Sequence, residues 1–146
     1  MNHRLFSAGV AAVALAYLID VFLPWIPLKY EGTSLGTWAG TRAWPVPISV
    51  VTASMLLLWD VRIALSARIK RWRHVGAAVI AGITGGIALA GVLDARTTAL
   101  LHPDHSLAYG AWIAIPVGVL LLLGALGHLV AFMRLAPAEV PQAPGE

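Results

Sequence analysis

Long apolar runs separated by short polar segments are the dominant pattern of the chain. The runs cover residues 5–23, 46–65, 75–93 and 109–133, and the last two contain no Asp, Glu, Lys or Arg. A helix that spans a bilayer needs about 20 predominantly apolar residues, and a backbone in lipid must satisfy its own hydrogen bonds. The pattern therefore predicts an all-α membrane protein, a bundle of four transmembrane helices within a single domain over 1–135. We expect residues 136–146 to form a short flexible tail.

The composition excludes other classes of protein. Of the 146 residues, 59% are apolar and 12% are charged, and the mean hydropathy is +0.80. A soluble domain carries about 25% charged residues, so these figures exclude a soluble enzyme and equally a disordered chain. The chain has no cysteine, which excludes disulfides, thiolate metal sites and a cysteine nucleophile. Motifs of serine hydrolases, zinc proteases and phosphate-binding loops are also absent.

The first apolar run has a second interpretation, as a cleaved signal peptide. Arg4, the apolar stretch after it and the small-residue triplet at 14–16 have the features of such a peptide. The apolar run, however, continues past the triplet to Leu23, which favours a retained transmembrane helix.

The distribution of basic residues predicts the orientation. With four spans, seven Lys and Arg residues lie on the side of the termini, and three (Lys29, Arg42 and Arg96) lie on the other. Because cytoplasmic loops are enriched in Lys and Arg, we expect both termini in the cytoplasm of a bacterial plasma membrane.

The linker between the second and third spans carries the densest basic cluster. Headgroup attraction contributes about 1 kcal/mol for each basic residue near an anionic surface, so anionic lipid contact is expected at Arg68, Lys70, Arg71 and Arg73. The alternative is that the cluster acts only as an orientation signal. Asp60, nearby, is expected to settle the end of the second helix. The net charge of +3 is too small a surplus to predict nucleic-acid binding.

Small residues recur every four positions along the third span. Such stripes allow helix backbones to approach closely in lipid. The stripe predicts either packing within the bundle or an interface with another protein or a second copy, and it comprises Ala78, Gly82, Gly85, Gly86 and Ala90.

The first outward loop contains a short repeat in which glycine and threonine each recur every four residues between 32 and 43. In a helix each set would line one face, so we expect a re-entrant or interface-lying segment over the bundle. Tryptophan favours the headgroup level, which makes Trp25, Trp38 and Trp44 a predicted outer-loop interface. A cap that binds a partner or ligand is one alternative, and a plain ordered loop is another because glycine lowers helix stability.

The residues VFLPW at 21–25, followed by glycine and tryptophan before the second span, resemble small four-span membrane proteins of actinobacteria. The resemblance covers the topology and a short stretch of the outer loop. It implies a bacterial plasma-membrane protein and carries over no functional residues.

Ionisable residues near the outer face form a candidate polar cluster, comprising Asp20, Asp94, His102, Asp104 and His105. An ionisable residue within a span is a functional hypothesis by default, although Asp20 is expected to pair with Arg42 or Arg96 or to reach the interface. Asp94 is expected to close the third helix. The histidines have no second group of ligands nearby in sequence, so neither a metal site nor a cofactor is predicted.

One further histidine, His128, lies inside the fourth span. We expect it to be neutral and bonded to a backbone carbonyl. A proton relay through it would need Asp60 or Ser66 as a partner at the same depth.

These observations favour a non-enzymatic accessory, scaffold or assembly subunit of a larger membrane or envelope complex. Its expected partners are the bilayer and either a membrane protein or a second copy. A small ion or solute transporter that uses the outer Asp and His residues is the first alternative. A membrane enzyme acting on a lipid at the outer face, with Asp20, Asp94 or His105 as acid or base, is the second.

Overall fold

The computed structural model describes residues 2–30, 33–39, 46–66, 70–101 and 107–135, and in the hairpin the side chains only as far as Ile26. The chain forms four helices and one hairpin: α1 (His3–Asp20), β1 (Pro24–Tyr30), β2 (Thr33–Ala39), α2 (Val46–Leu65), α3 (Arg71–Leu101) and α4 (Tyr109–Arg134). All four helices are long and apolar enough to cross a membrane. This confirms the prediction of an all-α bundle whose four helices could each span a bilayer. The predicted tail over 136–146 lies outside the described residues.

The helices form a closed ring in which each one packs on its chain neighbour and α1 also packs on α4. The ring has two ends. The basic end is where α1 and α3 begin and where α2 and α4 end; the hairpin end is opposite. The core between them is built mainly from small and aliphatic residues, including Val10, Ala14, Ala53, Leu56, Ala81, Ala88 and Leu121. Small side chains permit the close approach on which helix association in lipid depends.

Helix α1 ends three residues earlier than its apolar run. After Asp20 the backbone tightens, and the N–H groups of Phe22 and Leu23 donate to carbonyls three residues back, at 3.0 and 2.9 Å. The physical reason is Pro24, because a proline disfavours helical backbone at the residue before it. Asp20 is therefore the last residue of the helix and not a residue one turn inside it.

Helix α3 is longer than its apolar run at both ends. It spans 31 residues, whereas the pattern predicted a helix over 75–93. The expectation that Asp94 closes the helix was wrong, since Asp94 and Arg96 are followed by another turn that ends at Leu101. Charges end an apolar run without ending a helix, because a helix that emerges from lipid continues wherever its backbone bonds remain intact.

The outer loop contains an antiparallel hairpin, not the helix-like segment predicted from its repeat. In the register, Pro24 is opposite Ala39 and Pro27 is opposite Thr37, with irregularities near both ends of β1. A spacing of four also keeps residues on one face of a strand, because a strand alternates with a period of two. The repeat was therefore compatible with both structures. Of the predicted loop interface, Trp38 lies in β2 and Trp44 lies outside the described residues.

Candidate functional site

Three fully buried polar residues from three helices meet near the basic end, and we call them the triad: Asp60 on α2, His74 on α3 and His128 on α4. Asp60 is five residues before the end of α2, His74 is three after the start of α3 and His128 is six before the end of α4. At about 1.5 Å per residue, all three lie within about 10 Å of the same end of the bundle. The up-and-down topology therefore brings together residues that are far apart in sequence.

His128 is the centre of the triad. Its Nε2 lies 3.0 Å from Asp60 Oδ1, and its Nδ1 lies 3.0 Å from Nδ1 of His74. The contact with Asp60 has the distance of an ion pair but lacks the alignment of a straight hydrogen bond. The expectation that His128 bonds a backbone carbonyl was wrong, because both its ring nitrogens face side chains. Of the two partners named from the sequence, Asp60 is the one it meets.

Aromatic rings and a third histidine enclose the triad. The ring of Phe6 meets His128 edge-on with centroids 4.8 Å apart, and His3 lies 5.5 Å from His74 between centroids. His3 is half-buried. Within the described part of the chain, His3 Nδ1, His74 Nε2 and the hydroxyl of Ser7 are buried without a hydrogen-bond partner. The triad is thus shielded from water, and His3 beside it is partly exposed.

Two arginines in the first turn of α3 hold the basic end together. Arg71 donates from Nε to the carbonyl of Phe132 at 2.9 Å, and its guanidinium lies 4.0 Å above the ring of Phe132. Arg73 donates to the hydroxyl of Ser66 at 2.8 Å, and the indole of Trp59 donates to the Arg73 carbonyl at 2.9 Å. Arg71 and Arg73, two of the three arginines predicted to contact lipid, therefore join helices to one another.

Two further residues, Arg68 and Lys70, were predicted to contact lipid. Lys70 is exposed, and Arg68 lies outside the described residues. A small cavity of about 130 Å³ opens at this end, lined by Trp59, Arg62, Trp72 and Arg73. Indole rings beside guanidinium groups are typical of the headgroup level.

The hairpin end contains a second buried carboxylate, that of Asp20. It is 1% exposed, and neither of its oxygens has a hydrogen-bond partner among the described residues. Its backbone carbonyl accepts a hydrogen bond from the indole of Trp25 at 3.1 Å. The predicted pairing of Asp20 with Arg96 is not formed, since Arg96 is exposed, and the side chain of Arg42 lies outside the described residues.

Trp25 anchors the hairpin to the bundle. It was predicted to be an outer-loop interface residue, but it is 2% exposed. A side-chain carbon at Gly110 would lie 2.6 Å from both the Pro24 carbonyl and the Trp25 ring, and one at Gly91 would lie 3.2 Å from that ring. Glycine at these positions leaves the space that the indole fills. The Trp25 side chain therefore fills the space between α3 and α4.

The remaining members of the predicted outer cluster do not join Asp20 in the described part of the chain. Asp94 is half-buried on α3, while His102, Asp104 and His105 lie outside the described residues. Among the residues that the structure describes, no three histidine or carboxylate side chains converge as ligands of one metal ion.

The small-residue stripe on α3 divides between two faces. Ala78 and Gly85 are buried, Gly82 is half-buried, and Gly86 and Ala90 are exposed. Gly85 is the tightest contact, because a side-chain carbon there would lie 2.9 Å from the Gly118 carbonyl of α4. A spacing of four advances about 40° per step around a helix, so the stripe turns from α4 toward the outside along its length.

An apolar groove of about 610 Å³ lies between α3 and α4 toward the hairpin end. It is lined by Leu89, Val92, Leu93, Arg96, Leu107, Trp112 and Ile115. Of the described residues that line it, Arg96 is the one that carries a charge.

Sequence comparison supplies no relatives for this arrangement: no known family matches the chain, and neither does any curated protein. His74 is the site residue that the sequence analysis missed. The available signal was that Asp60, His74 and His128 each lie within two turns of the same bundle end once the spans alternate in direction.

Proposed function

We propose that the protein is a non-enzymatic, four-span subunit of a bacterial plasma-membrane or envelope complex, with both termini in the cytoplasm. The orientation is supported by the basic end, where Arg4, Arg62, Lys70, Arg71, Arg73 and Arg134 all lie at helix termini. By the enrichment of Lys and Arg in cytoplasmic loops, the hairpin end then faces outward.

The observation that carries the proposal is the way the hairpin is held. Strand β1 is anchored by Trp25 and Ile26, both buried against α3 and α4. Strand β2 pairs with β1 on one side, and within the described ranges no further strand pairs with its other edge. An open strand edge offers backbone N–H and C=O groups to an incoming strand. We infer that β2 docks an extended segment of an outer-face partner protein.

The bundle interior argues against the transporter alternative. Between the triad and Asp20, the buried side chains of the described residues are aliphatic apart from Ser49, Thr84 and Tyr17. The Thr84 hydroxyl donates its proton to the Ile80 carbonyl of its own helix, so its hydrogen is already engaged. A transport path needs polar groups through the span, and the described interior lacks a continuous series of them.

The lipid-enzyme alternative needs acid and base groups that converge in a cavity. Of the three residues predicted as acid or base, Asp20 is buried, Asp94 is half-buried and His105 lies outside the described residues. Because Asp20 is buried, it does not support the hypothesis of a lipid enzyme.

The test is co-purification of the full chain from its native membrane in mild detergent, after chemical cross-linking, with partners identified by mass spectrometry. Thr37→Pro removes one N–H from β2 opposite Pro27, whereas the matched control Thr37→Ala keeps it. We expect the proline variant to lose a partner that the wild type and the alanine variant retain. Equal recovery with all three chains, or a lone protein in each case, would contradict the proposal.

A further inference from the structure

The two contacts of the triad set a minimum number of protons. Two ring nitrogens 3.0 Å apart repel unless exactly one carries a proton, so the contact between His74 and His128 needs one donor and one acceptor. The contact between His128 Nε2 and Asp60 Oδ1 needs a proton for the same reason. Two protons therefore satisfy both contacts, one in each.

Charge balance calls for a third proton. With two protons and an ionised Asp60, both imidazoles are neutral and the triad carries a net charge of −1. All three side chains are fully buried, and an uncompensated buried charge is costly. One more proton converts an imidazole to imidazolium and brings the net charge to zero. The added proton leaves the His74–His128 contact intact, because either ring can hold it while the other accepts.

The surroundings of the triad leave one direction of access. Each packed helix contributes one facing titratable group among the described residues: His3 from α1, Asp60 from α2, His74 from α3 and His128 from α4. The nearby Arg71 and Arg73 are engaged by the Phe132 carbonyl and the Ser66 hydroxyl. His3 is half-buried at the start of α1, so it has one side toward water and the other toward His74.

The opposite direction is closed. The bundle above the triad is filled by buried Leu56, Ala81 and Leu121, which offer no proton acceptor. We propose that the triad is a proton-binding site that exchanges with the basic end through His3 and has no outlet toward the hairpin end. It is independent of the docking role proposed for β2. Because it opens on one side only, it senses the proton concentration of that side without conducting protons across the bundle.

The experiment is imidazole ¹⁵N NMR of the full chain in lipid nanodiscs, titrated between about pH 5 and pH 8, the range in which histidine ordinarily titrates. We expect the Nδ1 signals of His74 and His128 to move together in one step, with shifts between those of a protonated and a bare nitrogen. In Asp60→Asn the carboxylate charge is lost, and so is the need for the third proton. That step should move to lower pH by about one unit or more, a tenfold loss of proton affinity.

Two further variants keep the result interpretable. His105→Gln, outside the triad, should leave the step unchanged. His3→Gln should slow proton exchange at His74, which a purely structural role for His3 would not do. If Asp60→Asn fails to fold, the joint movement of the two Nδ1 signals in the wild type still decides the question.

Independent titration of His74 and His128, or a step that Asp60→Asn does not move, would overturn the proposal. The same nanodisc sample is also titrated with Zn²⁺ alone. Stabilisation by zinc that depends on His74, His128 and Asp60 together would replace the proton site by a metal site. No effect of zinc is the expected result.

Discussion

The two ends of the bundle each bury a carboxylate, but they treat it in opposite ways. Asp60 at the basic end faces His128 and, through it, His74. Asp20 at the hairpin end is buried with no partner for either side-chain oxygen among the described residues, while its backbone carbonyl accepts from Trp25 and Leu23. Burial alone therefore does not distinguish the two carboxylates. What separates the two is whether neighbouring helices supply a complementary group.

Removal of each carboxylate should give the largest contrast. Asp60→Ala leaves His128 buried without its partner, and breaking a buried charged pair costs about 3–5 kcal/mol. Asp20→Ala removes a group that makes no side-chain bond, so we expect a change within about 1 kcal/mol or a gain in stability. The free energy of unfolding in bicelles, measured by SDS titration, checks both. Equal losses would abolish the distinction between the ends.

Substitution of Gly110, which leaves room for the Trp25 ring, should give the next largest effect on stability. Gly110→Ala places a carbon 2.6 Å from the Pro24 carbonyl, and overpacking of this kind costs about 1–3 kcal/mol. Gly86→Ala meets nothing within 4 Å and should stabilise α3 by up to about 1 kcal/mol, because alanine is the better helix former. Thermal unfolding of the two variants in the same detergent measures this difference. If Gly110→Ala leaves the unfolding temperature unchanged, the hairpin does not pack against α4 as described.

The two indole hydrogen bonds provide a finer comparison. Trp25→Phe and Trp59→Phe each remove one bond to a backbone carbonyl, at the hairpin end and the basic end respectively. Each loss is expected to cost about 1 kcal/mol. The cost at Trp25 should be the larger, because Trp25 is buried and Trp59 is half-buried. Unfolding free energies of the pair test this order, and the reverse order would contradict it.

The smallest effect is expected at the arginines of the basic end. Arg71→Gln loses both the contact over the Phe132 ring and the hydrogen bond to the Phe132 carbonyl, each worth about 0.5 kcal/mol at this half-buried site. Its control is Lys70→Gln, since Lys70 is exposed and its loss should leave stability unchanged. Binding of both variants to vesicles with and without anionic lipid separates packing from headgroup attraction. If Lys70→Gln weakens lipid binding as much as Arg71→Gln does, both residues act at the surface.

The sequence predicted the four helices well because hydropathy reports directly on them. It predicted the hairpin badly, since a repeat of four residues suits a strand face as well as a helix face. The run from Pro24 to Tyr30, a Glu-Gly pair and the run from Thr33 to Ala39 contain the proline, glycine, aromatic and β-branched residues that mark hairpins. These residues indicated a hairpin, but the prediction followed the four-residue repeat instead.

The triad was only partly predictable. Asp60 and His128 could be placed at a similar depth from helix length alone, and they do meet. His74 was overlooked because it stands among basic linker residues, where a polar side chain is unremarkable in sequence. Which residues face inward depends on the rotation of each helix about its axis, and the interior packing of α3 against α4 sets that rotation.

The unequal lengths of α1 and α3 give the bundle an uneven thickness. Helix α1 has 18 residues and α3 has 31, which correspond to about 27 Å and about 46 Å at 1.5 Å per residue. A bilayer has a hydrocarbon core of about 30 Å. The apolar run of α3, residues 75–93, is about 28 Å long at the same rise per residue, so it matches such a core without mismatch. The rest of α3 would project beyond the core, by about 6 Å at the basic end and about 12 Å at the hairpin end. These projecting turns carry Arg71, Arg73, Asp94 and Arg96, whose charges would lie in the headgroup layer and the water beyond it.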